Sequence, residues 1–102
     1  MIRHIVLCRF RPSVKAAEIE AVFDELAALR NHLPGIVAAS FGANVSPEGL
    51  HQGFAHGFTI DFADAAGRDA YLVDAAHKTA GGHLVALLEG GRDGLIVVDL
   101  EV

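Results

Sequence analysis

Phe54-Ala55-His56-Gly57-Phe58-Thr59-Ile60-Asp61-Phe62 decides how this chain folds: it is the cleanest strand alternation in the sequence, and it sets an ionisable residue among large apolar ones. Phe54, His56, Phe58, Ile60 and Phe62 share one face, and Ala55, Gly57, Thr59 and Asp61 share the other. The bulky face should pack under helices. The small face should meet something flat at close range.

Upstream of this strand, Asn44 to Gly53 reads as a loop from its Asn, Ser, Pro and Gly content. Before the loop, Ile36 to Ala43 reads as a strand that pairs with Phe54 to Phe62 as a long-looped hairpin. Ile19, Val22, Phe23, Leu26, Leu29 and Leu33 form one helical stripe between about Lys15 and His32, with Glu18, Glu20, Asp24 and Glu25 turned away. Ser13 is offered as its N-cap, and Pro34-Gly35 ends it. The chain opens on a strand from Ile2 to Phe10, whose two faces both hold large apolar groups.

Downstream, Asp64 can cap a helix reaching to about Asp74. A separate helical piece, roughly His83 to Glu89, is expected after a break at Gly81-Gly82. Gly90-Gly91 and Gly94 bracket a turn before a last strand, Leu95 to Glu101. The order is strand, helix, strand, strand, helix, strand. Right-handed crossovers then give an α+β, ferredoxin-like protomer: a four-stranded antiparallel sheet of order 4-1-3-2 with its helices on one side.

With 102 residues the chain makes one domain, residues 1–102, with room for a two-layer core. An apolar fraction of 52% and a mean hydropathy of +0.38 are rich for that size. A formal charge of -5 and a pI near 5.6 supply no basic stripe, so nucleic acid is not an expected partner. No apolar run approaches the roughly 20 residues of a membrane span, and no cationic segment followed by an apolar one opens the chain, so a cytoplasmic location is expected. The single cysteine, Cys8, excludes an intramolecular disulfide and any multi-cysteine metal site, and it reads as a small core hydrophobe.

If helices cover the face bearing His4 and His56, the opposite face shows Ile5, Leu7, Ala55, Gly57 and Thr59. One face of the last strand carries Ile96, Val98, Leu100 and Val102. A face this apolar calls for a partner. A second copy stacked sheet to sheet is the economical cover, so a homodimer is expected.

His4-Ile5-Val6-Leu7, Pro34-Gly35-Ile36, Gly42-x-Asn44-x-Ser46-x-Glu48, Gly53-Phe54-x-His56, Tyr71-Leu72 with Ala75-Ala76-His77, and Val97-Val98-Asp99-Leu100 run in order through the chain. As a set they resemble the stress-responsive dimeric α/β-barrel family. The resemblance implies a ferredoxin-like protomer whose sheet packs on its twin's to form a barrel. It implies no single reaction, but the family includes plant polyketide cyclases that work without metal or organic cofactor in a cavity between sheet and helices. By matching position, His77 is the implied general base, Tyr71 its hydroxyl partner and Asp99 the carboxylate that orients it, with His4 and His56 lining the pocket. Leu26 stands where those cyclases place a further tyrosine, so the resemblance does not reach to their substrate.

The residues themselves bear on that chemistry. End-to-end antiparallel pairing sets His4 opposite Ile60 and leaves His4 and His56 roughly 13 Å apart at ~3.3 Å per residue, too far to share a metal. The second helical segment runs back over the sheet and should bring Tyr71 and His77 above His56. A pocket walled by Val6, Phe54 and Phe58, with His56, Tyr71 and His77 as its few polar groups, suits a small, largely apolar carbonyl compound. A neutral imidazole can take a proton near neutral pH, and a tyrosine can hydrogen-bond a forming enolate. The plainer reading stands beside it: strand histidines as hydrogen-bonded core, Tyr71 as packing, Asp99 as a solvated edge residue, and the Asn44 to Glu48 segment as a turn and not a cation site.

Overall fold

Alternation, helical stripe and turn signals resolve into seven regular elements in the computed structural model, which describes residues 1–102. In chain order these are β1 (Ile2–Cys8), α1 (Ala16–Ala28), β2 (Ile36–Ala43), β3 (His56–Phe62), α2 (Ala65–Val73), α3 (Ala75–Leu87) and β4 (Leu95–Glu101). Short 3-10 turns at Leu29–Asn31 and Gly91–Gly94 extend α1 and precede β4. The sheet runs β2-β3-β1-β4, the expected order read from its other edge, with every pair antiparallel. The fold is ferredoxin-like.

Register follows parity. His4 lies opposite Ile60 and Cys8 opposite His56, while on its other side β1 sets His4 opposite Asp99 and Val6 opposite Val97. The inner face of the two central strands, His4, Val6, Cys8, Phe58, Ile60 and Phe62, is buried against the α1 stripe of Val22, Phe23 and Leu26, with Tyr71, Ala80 and Leu84 from the later helices. Cys8 is fully buried, and loss of solvent pushes its thiol up to about 12. It is a packing residue and not a nucleophile.

Three strand and helix boundaries depart from the sequence reading. Phe10 lies beyond β1: the Arg9 N–H turns to the Gly94 carbonyl, and Phe10 makes only an isolated bridge to Leu88. Ser13 is not the α1 cap, because Val14 N–H bonds back to Arg11 and closes a turn over Pro12-Ser13. Lys15 takes the cap position, and its N–H donates to the Glu18 carboxylate. Phe54 and Ala55 are spent on turn hydrogen bonds to His51 and Gly53, so β3 starts at His56.

The largest departure concerns the helical layer. The break falls at Asp74, not at Gly81-Gly82, and α3 runs unbroken through both glycines. Asp74 adopts an extended ψ of 132°, ends α2, and accepts a hydrogen bond from His77 N–H to start α3. A side-chain cap thus outweighs two weak helix formers. Asp64 starts α2 as expected, accepting from Gly67 N–H. Gly67 itself lies against Gly35, where an added Cβ would come within 2.8 Å of the Gly67 Cα. That backbone contact seats α2 on the start of β2.

The outer face of the sheet is left uncovered in the protomer. Leu7, Ile96, Val98 and Leu100 are 37–46% exposed there, and the Arg3 guanidinium pairs with Asp61 at one end, 2.9 Å apart.

Candidate functional site

Strands β1, β3 and β4 and helices α1, α2 and α3 meet around a cavity of about 770 Å³. β1 contributes His4 and Val6, β3 contributes Phe58, and β4 contributes Val97. Tyr71 arrives from the last turn of α2, and His77 from the first turn of α3. The Asp74 junction is what makes this possible. It turns the chain between Tyr71 and His77, so their rings lie 3.8 Å apart between centroids, tilted by 31°. The Tyr71 ring in turn lies edge-on to His4 at 5.7 Å and beside Phe62 at 5.2 Å.

His4 is 5% exposed, and its Nδ1 lies 2.6 Å from Asp99 Oδ1. Asp99 Oδ2 accepts from the Arg68 guanidinium at 3.0 Å. A buried imidazole needs such a partner, and the carboxylate fixes the ring's orientation and favours a proton on Nδ1. Burial alone would raise the Asp99 carboxyl. Hydrogen bonds from His4 and Arg68 outweigh it and hold the group below the usual carboxylate range.

His77 is different in kind. Its backbone N–H is spent on the Asp74 cap, while its ring Nδ1 is buried and has no hydrogen-bond partner in the protomer. Burial lowers its pKa first, and the neighbouring His4 charge lowers it further. The Asp74 carboxylate opposes both, as does the Tyr71 backbone. The result is an imidazole that is neutral at pH 7 and able to accept a proton. Burial raises the Tyr71 phenol, so it stays protonated and keeps a proton to donate.

The geometry corrects several expectations about which residues meet. Asp99 is hydrogen-bonded to His4, not to His77, because β4 pairs with β1 along its whole length and sets the two opposite each other. Tyr71 and His77 lie over His4 and not over His56: α2 leaves directly from β3, and a nine-residue helix carries Tyr71 only over Phe62. His56 stands at the far end of the sheet, edge-on to Phe10 at 5.3 Å, and Phe54 lies under the Arg9 guanidinium. Both border a shallower hollow of about 530 Å³ under the β2–β3 loop, which contains neither Tyr71 nor His77. His4, Val6 and Phe58 do line the main cavity, as does Leu26.

Sequence reasoning overlooked Arg68, Lys78 and Arg92. The first holds Asp99, and the other two line the main cavity. Pairing the last strand end to end with the first would have placed Asp99 beside His4. Nothing local marks Lys78 or Arg92 as neighbours. No three His, Cys, Asp or Glu side chains converge as a metal-binding group, and no helix is long and apolar enough to cross a membrane.

Comparison with known proteins agrees with this architecture. The family model described as the stress responsive A/B barrel domain matches residues 2–102. The stress-response A/B barrel domain-containing protein HS1 of Arabidopsis thaliana is 29% identical over 98 residues, 96% of this chain and 86% of that protein. Among solved structures, a dimeric ferredoxin-like protein of unknown function from Jannaschia sp. CCS1 superposes with a TM-score of 0.92. It is 36% identical, over 99% of this chain and 98% of that one. The hydroxynitrile lyase of Passiflora edulis shares the fold, with a TM-score of 0.87 at 18% identity over 99% and 92% of the two chains.

Proposed function

The chain belongs to the stress-responsive A/B barrel domain family, and from that premise we propose that it forms a homodimer through its outer sheet faces and binds a small, largely apolar carbonyl compound in each protomer. The observation that carries the binding reading is the main cavity itself. The space around His4, Tyr71 and His77 is open and not filled by neighbouring side chains, and Val6, Leu26 and Phe58 supply its apolar wall. The similar Jannaschia structure, described as dimeric, supports the homodimer. A thermal-shift screen of carbonyl metabolites on wild type and His77→Ala in parallel tests the reading. Shifts present in wild type and lost in the variant are expected. A library that shifts neither protein overturns it.

A neutral His77 lining the cavity beside Tyr71 favours a second reading, in which the site is a cofactor-independent acid–base enzyme. His77 takes a proton from the carbon next to the bound carbonyl, and the C–H electron pair moves into the enolate. The Tyr71 hydroxyl donates a hydrogen bond to the oxygen as its charge grows. Asp99 acts through His4, holding that ring as a polar wall opposite. Deuterium wash-in at the α-carbon of a bound ketone, followed by NMR in heavy water, separates the two readings. Exchange that needs His77 supports catalysis, and binding without exchange leaves a binding protein.

A further inference from the structure

Acidic side chains outnumber Lys and Arg by 13 to 8 in this chain, yet none lines the main cavity. Two cations do, Lys78 and Arg92. Arg3, Arg9 and Arg68 are engaged by Asp61, Glu89 and the Asp69–Asp99 pair, whereas Lys78 and Arg92 join no ion pair. They come from different elements, α3 and the 3-10 turn before β4, and converge only at this cavity. Both are exposed, so they stand at its mouth, while His4 and Tyr71 are buried at its base.

The wall between them is shaped by absence of side chains. Lys78, Gly81, Gly82 and Val85 share one face of α3 at helical spacing and line the cavity together. Glycine in a helix interior is less stable than alanine. Neither position has a positive φ, and an added Cβ at either would meet nothing within 4 Å. Packing within the protomer therefore does not require them. What they leave is a bare strip of helix backbone, flat enough for a planar group to lie on.

We infer that the cavity takes a planar carbonyl compound bearing a carboxylate, its flat body against α3 at Gly81-Gly82 and its anionic end between Lys78 and Arg92. This rests on the binding reading above and gives that site its substrate class. With the carboxylate anchored at the mouth, the ketone reaches inward toward Tyr71 and His77.

The test uses benzoylpropionate and naphthoylpropionate, each against its uncharged methyl ester, by calorimetry on the full chain. The acids should bind wild type on the order of tenfold more tightly than their esters, as two partly screened cation contacts would provide. A Lys78→Gln, Arg92→Gln double variant should bring acid and ester level, whereas Lys15→Gln, a cation away from the cavity, should leave the preference intact. Gly82→Ala should raise the melting temperature yet weaken acid and ester alike, so its loss of binding cannot be assigned to misfolding. Acids and esters binding wild type equally would overturn the anionic class while the carbonyl site stands. A preference that survives in the double variant would also overturn it, and binding unchanged in Gly82→Ala would refute the flat-body seat. No binding of any of the four compounds would sink both this inference and the carbonyl-binding reading.

Discussion

His77 and Asp99 both cost stability as pH falls, but in different pH windows, and the difference can be measured. His77 has a folded-state pKa below its ordinary value, chiefly from burial. The unfolded chain therefore binds that proton more readily, and stability falls as pH drops below about 6.5, the unfolded imidazole value. His77→Gln should flatten the melting temperature between pH 7 and 5. An unchanged slope would mean that burial of this ring has no energetic consequence. Asp99 is depressed in the folded state, so its contribution is full above the unfolded carboxyl value and is lost as pH falls below about 4. Asp99→Asn removes the charge and leaves one acceptor oxygen where His4 and Arg68 now have one each. A loss of about 1–2 kcal/mol at neutral pH is expected from urea unfolding, with a shallower acid limb. Full stability in the variant would show that water replaces the carboxylate beside His4.

At the scale of elements, Asp74 has three tasks: it ends α2, caps α3 and accepts His32 Nε2 at 3.1 Å from the end of the first helical stretch. Asp74→Ala should cost about 1 kcal/mol, typical of a lost N-cap, and speed amide exchange at His77 more than at Leu84. Equal protection at both would mean that α3 needs no cap there. This junction also marks where the sequence was readable and where it was not. Strand parity is a property of the backbone, so Phe54 to Phe62 disclosed its buried face and the His4–Ile60 register without any tertiary information. The helix break was not readable in the same way. Gly81-Gly82 advertise a weak helix, whereas Asp74 decides the matter through one side-chain hydrogen bond that depends on where Tyr71 has already been placed. The site inherited that error: with the break moved, Tyr71 and His77 cover His4, and His56 is left at the sheet's far end. Asp99 was recognisable as an orienting carboxylate, but its partner depended on pairing between two strands at opposite ends of the chain.

For the whole molecule, β4 connects the cavity to the outer surface. Its inward residues Val97 and Asp99 border the cavity or hold His4, while Ile96, Val98 and Leu100 stand outward beside Leu7. Gly57 keeps the neighbouring part of that face low, since a Cβ there would come within 2.8 Å of the Val6 carbonyl oxygen. An apolar, low-relief sheet suits stacking against its own copy, and two-fold symmetry brings each residue of the patch to a self-complementary surface. Val98→Glu places a carboxylate in the middle of that face, where burial would leave it without a partner. Sedimentation at tens of micromolar should find wild type as a dimer and Val98→Glu as a folded monomer, with circular dichroism unchanged. A monomeric wild type at that concentration refutes sheet stacking outright. His4, Tyr71 and His77 are held around the cavity by contacts within one protomer, so the monomer should still bind ligand. Its affinity should weaken only as far as the exposed β4 edge loosens the His4–Asp99 contact.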